Sequence, residues 1–242
     1  MISLFARSSL PLALLCGFTA ILSGLGYRWG GWSLNVAFKI LEWSAYGALL
    51  AFALALAGAM ISWRRGKRRD AGLSFAALVV AAATFGVPGA LLYQAHRLPP
   101  IHDITTDTAN PPRFVAILPL RADAPNPAQY PGPIVAEQQR LAYPDIVPFA
   151  STAPPDRAFS RALKVVRDLG WTIVAAVPAQ GRIEAVDRTL LFGFRDDIVI
   201  RVSPAPQGSV TDVRSKSRVG ESDIGTNARR IRRFLARFAN ES

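Results

Sequence analysis

The sequence predicts two unlike parts. The first is an α-helical membrane part of three transmembrane helices. The second is an α+β domain, an antiparallel sheet of about four to five strands with two helices on one face. Three observations lead there. Three apolar runs long enough to cross a bilayer fall within the first hundred residues. Thirteen of the 18 prolines crowd into residues 99–155, which excludes long helices there. Beyond them come a stretch of helical periodicity, four strand-like runs and a second helical stretch. The domain plan that follows is a transmembrane domain over residues 1–98, a Pro-rich wrapping segment over 99–155 and an α+β core over 156–242.

The first span is expected over residues 10–27. It reads as an uncleaved helix rather than a signal peptide, because no A-x-A-like site follows its apolar core. The second span, 43–63, has Trp43 and Trp63 at its two ends, where interfacial rings sit. The third, 72–93, carries Pro88 near its far end, a position for a kink. Neither of the last two holds an ionisable residue at depth, which argues against a pump or channel. Small residues recur at every fourth position: Gly47, Ala51, Ala55 and Ala59, then Ala82, Gly86 and Ala90. Such stripes suit a tight helix hairpin or a homodimer seam, and equally well a generic alanine-rich helix.

Charge gives an orientation. The run Arg64-Arg65-Gly66-Lys67-Arg68-Arg69 separates spans two and three. With Arg7 it makes six cations on one side, against Arg28, Lys39 and Arg97 on the other. The more basic side is cytoplasmic by the positive-inside rule. The expected location is therefore a bacterial inner membrane, with the N-terminus in the cytoplasm and the C-terminal domain in the periplasm. The net charge of +11 is concentrated in the first hundred residues, which hold nine Lys/Arg and only Glu42 and Asp70 as acids. A topology signal accounts for the basic pI, so no nucleic-acid partner is expected. The single cysteine, Cys16, excludes an intrachain disulfide and a thiolate metal cluster. No metal or cofactor is expected.

In the Pro-rich segment, Phe114-Val115-Ala116-Ile117-Leu118 reads as a strand and residues 134–141 as a short helix. Tyr130, Ile134, Tyr143, Ile146 and Phe149 are too apolar for a free tether. From Pro154, residues Phe159, Ala162, Leu163, Val166 and Leu169 share one helical face, with Gly170 as a stop. Four strands follow, over 171–177, 182–189, 197–203 and 210–219. A last helix spans 223–238, with Ser222 as its expected N-cap and a stripe of Ile231, Phe234, Leu235 and Phe238.

Period-two alternation divides the strands into two faces. Ile183, Ala185, Ile198, Ile200, Val202 and Val213 should meet the helices. Arg182, Glu184, Arg188, Asp197, Arg201, Asp212, Arg214, Lys216 and Arg218 form the other face. That face reads either as a solvated surface of cross-strand ion pairs or as a site for an anionic ligand. In the second reading Arg188, Arg201, Arg214 and Arg218 are the anion contacts, and an anionic lipid or envelope polymer is the ligand class. An enzyme reading needs a base near an acid. The weak catalytic candidates are His102 with carboxylates among Asp103, Asp107, Asp187 and Asp197, as in an envelope hydrolase. A third reading is structural, with the domain docking another membrane protein.

Several stretches are long and specific: Ile183-Glu184-Ala185-Val186-Asp187-Arg188-Thr189, Phe192-Gly193-Phe194-Arg195-Asp196-Asp197, Asp212 to Gly220, and Asp223 to Ile231. With His102-Asp103-Ile104-Thr105-Thr106-Asp107 as an opening motif, they resemble the bacterial and plastid family known as domain of unknown function 1499, in its membrane-anchored form. The resemblance covers about residues 100–240 and implies no known activity. It adds Ser217, Asp223 and Asn227 to the candidate ligand-binding residues. A buried ion-pair network locking helix to sheet would explain the same motif without a ligand.

Overall fold

The computed structural model describes residues 2–240 and has the predicted architecture. Its chain divides into two compact units, Met1–Gln94 with Leu190–Gly193, and Ala95–Thr189 with Phe194–Ser242.

The first unit is built from α1 (Ile2–Arg28), α2 (Leu34–Arg64) and α3 (Arg68–Arg97). All three helices are long and apolar enough to cross a membrane. Their outward faces carry large apolar side chains, among them Leu15, Phe18, Leu50, Met60, Phe75 and Leu92, which suits contact with lipid. Half of the basic run is helical: Arg64 ends α2, Arg68 and Arg69 begin α3, and a tight turn at positive-φ Gly66 separates them. Pro88 lies inside one continuous helix.

The packed stripe differs in part from the expected one. On α2 it runs Ser44, Ala48, Ala51, Ala55, Gly58 and Ser62, against Ala13 and Cys16 of α1 and Ala77 and Ala81 of α3. A side chain at Gly47 would reach within 2.7 Å of Cys16 Sγ, and one at Gly58 within 3.0 Å of the Ala6 backbone. Small residues there allow the close approach. On α3 the buried stripe is Asp70, Ser74, Ala77 and Ala81, whereas a Cβ at Gly86 would meet open space. The Ala82–Gly86–Ala90 stripe is therefore not the one packed within this unit.

The second unit is a six-stranded antiparallel sheet. Its strands are β1 (Asp103–Thr105), β2 (Phe149–Ser151), β3 (Thr172–Val177), β4 (Arg182–Arg188), β5 (Arg195–Ala205) and β6 (Gly208–Ser217). The order is β1-β6-β5-β4-β3, with β2 pairing the other half of the β6 edge. The two strands beyond the expectation are only three residues long, too short to show alternation. Three helices accompany the sheet: α4 (Pro133–Ala142), α5 (Pro155–Asp168) and α6 (Thr226–Asn240). Pro155 sits in the first turn of α5, and Gly170 ends it with φ +74°.

The apolar set of the strands meets α5 and α6 as alternation requires. Ile183, Ile198, Ile200 and Val213 are fully buried with Val165, Val166, Ile231 and Phe234. Trp171 stacks on Phe234 at 5.9 Å, and Phe149 meets Phe238 edge-on at 5.3 Å. The free edge of β1 is closed by α4: the Gln139 amide donates to Thr105 O (2.6 Å) and accepts from Thr105 N (3.0 Å), as a neighbouring strand would.

One sequence expectation fails. Phe114–Leu118 forms no strand; the chain turns there into a short 3-10 helix, Leu118–Arg121. The backbone N–H groups of Val115, Ala116 and Ile117 all point to one carboxylate, Glu184, instead of to a sheet neighbour.

Candidate functional site

The charged set of the strands is not a solvated surface. Asp103, Glu184, Asp197 and Lys216 are fully buried, and Arg214 and Arg218 nearly so. The cover is chain between β1 and α4, folded over the sheet face away from the helices. Phe114 and Ile117 pack there on Val186 and Val199. Burial of so many charges requires partners for each.

The partners come in two groups along β6. Register places Lys216 between Asp103 of β1 and Asp197 of β5. Arg214 donates from Nε and Nη2 to the two Asp103 oxygens, at 2.9 and 2.8 Å, in a bidentate fork. Lys216 Nζ adds a third bond to Asp103, at 2.8 Å, and one to Gln129 O. The remaining Arg214 donors reach Pro112 O and Ala128 O, and its guanidinium lies 4.7 Å over the Phe114 ring. In the second group Arg218 and Arg121 share Asp197, at 2.7 and 2.9 Å. Arg121 also donates to Asn126 O, and Asn126 Nδ2 to Gly220 O. Covering chain and sheet are thus cross-linked by charge-assisted bonds. Burial draws the Lys216 and Arg121 pKa values down, against the pull of Asp103 and Asp197. Burial, with the Asp103 charge nearby, pushes the Tyr130 hydroxyl up to about 12.

A further network lies on the helix side. Arg230 of α6 donates to Asp187 (2.8 Å) and Asp196 (2.7 Å), and to Asn227 Oδ1 (2.7 Å). Asn227 links Ser215, Ser217 and the His102 carbonyl. The start of α6 is held by the Asp223 carboxylate, which accepts from Gly225 N (2.8 Å) and Asn227 N (2.7 Å). Ser222, the expected cap, bonds Ile224 N instead, before the helix begins. An acid outcompetes the serine because it carries charge to two N–H groups at the helix's positive end.

The structure distributes the candidate residues over different settings. Arg214 and Arg218 are consumed in the covered face. Ser217, Asp223 and Asn227 join the helix-side network. Arg188 is exposed at the end of β4. Arg201 is partly exposed and paired with Asp107 (2.9 Å) and Asp212 (2.8 Å). The catalytic candidates are not brought together: Asp103 and Asp197 are locked under the cover, Asp187 faces α6, and Asp107 holds a turn through Ala109 N and Asn110 N. His102 Nδ1 bonds the Glu221 carbonyl (3.1 Å), and the ring takes part in none of the ion pairs among the described residues. Sequence reasoning overlooked Arg121, Asn126, Gln139, Asp196 and Arg230 as network members. For Asp196 a signal existed: adjacent acids on a strand point to opposite faces, so each needs its own cation.

The family model for the protein of unknown function (DUF1499) matches residues 103–238. The chain belongs to this family. A comparison with curated proteins found no match. The DUF1499 region begins at Asp103 and takes in both networks, so its boundary coincides with the residues that tie β1, the covering chain, β6 and α6 together.

The DUF1499 domain offers a pH test at Asp223. Burial raises its pKa above the ordinary 3.8, against the bonds from Asn227 and Gly225. The native state then holds a proton more tightly than the unfolded chain does. That contribution is fully present below the unfolded value and is lost as pH rises through the raised native value. Asp223→Asn lacks it. The wild-type advantage in Tm over this variant is expected to shrink from about pH 4 to about pH 7. An advantage that grows over that interval would contradict the assignment.

Proposed function

We propose that the chain is a membrane-anchored, non-catalytic binding or accessory module for an anionic component of a bacterial envelope. In this reading the N-terminus and the Arg64–Arg69 turn are cytoplasmic and the α+β domain is periplasmic. The cation imbalance between the two sides of the three helices supports the orientation.

The observation that carries the binding role is the outer surface of the helix layer. Arg157, Lys164 and Arg167 of α5 and Arg229, Arg232, Arg233 and Arg237 of α6 are exposed. The exposed acids of these helices are Asp156 and Asp168, and Asp145 pairs with Arg232. Arg214 and Arg218 are neutralised internally, so the exposed cations of α5 and α6 are the larger anion-facing group of the domain. The domain follows α3 directly in the chain, with β1 starting at Asp103, and near a bilayer anionic headgroups attract basic side chains by about 1 kcal/mol each.

Two measurements test this. A C-terminal reporter active only outside the cytoplasm should be active; a cytoplasmic signal overturns the orientation. Full-length protein in neutral-lipid nanodiscs should bind phosphatidylglycerol vesicles and not phosphatidylcholine vesicles. The Arg233→Glu/Arg237→Glu pair should weaken that binding by about tenfold or more. Equal binding by wild type and variant would remove the role of the helix layer.

A further inference from the structure

We infer that a cleft on the opposite side of the domain, lined by Arg113, Arg182 and Arg201, binds a phosphate-type oxyanion. It is a separate site from the α5–α6 surface. The cleft encloses about 310 Å³, enough for a small ligand, with Gln180, Val115 and Val199 also on its walls.

Three features point to an anion. First, register sets Arg182 of β4 directly opposite Arg201 of β5, and both side chains lie on the same sheet face. Like charges directly across a strand pair repel. Three carboxylates, Glu184, Asp107 and Asp212, offset this and fix both guanidinium groups at the cleft. Arg182 is held by Glu184 and by Gln180 Oε1 (2.9 Å), and Arg201 by Asp107 and Asp212. Second, the Arg201 bonds use Nε and Nη2 alone, leaving Nη1 without a partner among the described residues. Third, Arg113 reaches the same cleft from the covering chain, is exposed, and forms no hydrogen bond or ion pair among the described residues. The acids of the region are already committed: Glu184 to three backbone N–H groups and Arg182, Asp212 to Arg201 and Thr106. They hold the guanidinium groups in place without filling the cleft.

The number of guanidinium groups on the cleft favours phosphate over carboxylate. A planar carboxylate is satisfied by one bidentate fork. A tetrahedral oxyanion accepts from several guanidinium groups approaching in different planes. Apolar Val115 and Val199 beside the cations leave room for the organic part of an ester. The shared chemistry is therefore a phosphate group, either free or as a lipid headgroup.

The test uses full-length protein in neutral detergent, titrated with inorganic phosphate and, separately, with short-chain phosphatidylglycerol, each against chloride of matched ionic strength. At least one probe is expected to raise Tm saturably. The tighter probe identifies the source. Arg113→Gln should weaken that probe's binding by about tenfold, the value of one charge-assisted contact, while leaving the ligand-free Tm unchanged because Arg113 has no internal partner. Arg182→Gln provides a second reading of the same loss. No saturable response to either probe, or equal binding by wild type and Arg113→Gln, overturns the inference. The Arg233→Glu/Arg237→Glu protein should keep this response, so the failure of one site is distinguishable from the failure of the other.

Discussion

Asp103→Ala is expected to destabilise the α+β domain by about 3–5 kcal/mol, the usual consequence of deleting one member of a buried charge network. The residue removed is the common acceptor of Arg214 and Lys216, and all three side chains are almost wholly out of water. Two cations would be left with only the carbonyls of Pro112, Ala128 and Gln129. Urea unfolding of the full-length protein in neutral micelles measures the loss. A second substitution checks the cause. Adding Lys216→Met to Asp103→Leu removes one stranded cation and should recover part of the stability, since apolar replacements of buried pairs are often near neutral. The pH dependence has a definite sign. Burial already lowers the Lys216 pKa, so above that lowered value the unfolded chain binds more protons and stability rises with pH toward the ordinary 10.5. Without Asp103 the lowering deepens, so the deficit of Asp103→Ala should narrow as the pH is raised. A loss below about 1 kcal/mol would mean that water reaches the site and satisfies the cations.

Glu184→Leu is expected to have a comparable effect by a different route. Glu184 is fully buried and accepts the N–H groups of Val115, Ala116 and Ile117 at 2.9–3.2 Å. Each donor left unpaired costs about 1–3 kcal/mol, and three become unpaired together, so a total near 3–5 kcal/mol is reasonable once the chain relaxes toward water. The damage should also be local. Hydrogen exchange at residues 113–121 is expected to accelerate by about 100-fold, which corresponds to roughly 3 kcal/mol of lost local stability. α5 and α6 on the opposite face should keep more of their protection. Unchanged exchange in the covering chain would show that Glu184 is not what holds it down.

Both results would bear on how the sequence is read. Alternation along β4, β5 and β6 separated the two sets correctly: Ile183, Ile198, Ile200 and Val213 meet the helices, and Glu184, Asp197, Arg214 and Lys216 lie on the other face. Polarity then left that charged side to water or to an anionic ligand. It did so because a local pattern reports which face a residue is on and carries no information about what lies over that face. The covering chain hid for a related reason. Phe114–Leu118 has the composition of a strand, yet its amides are claimed by a carboxylate 67–69 residues away. Arg121 and Lys216 are likewise tied to acids 76 and 113 positions distant. Charge pairs at such separations have no periodicity to betray them. The helix stripes were partly legible, because Ala51 and Ala55 lie on the packed face of α2, while the third helix uses a different row.

The pairing of β1 with β6 also sets a timetable. Asp103 leaves the ribosome more than a hundred residues before Arg214 and Lys216, the groups that neutralise it. Until then β1 has no neighbour, and the covering chain has no finished sheet to close over. Long-range closure of this kind is slow and leaves strand edges unpaired in the interval. Docking of β1 and of the covering chain therefore waits for β6, the last strand, which supplies the cations that the first strand has been missing.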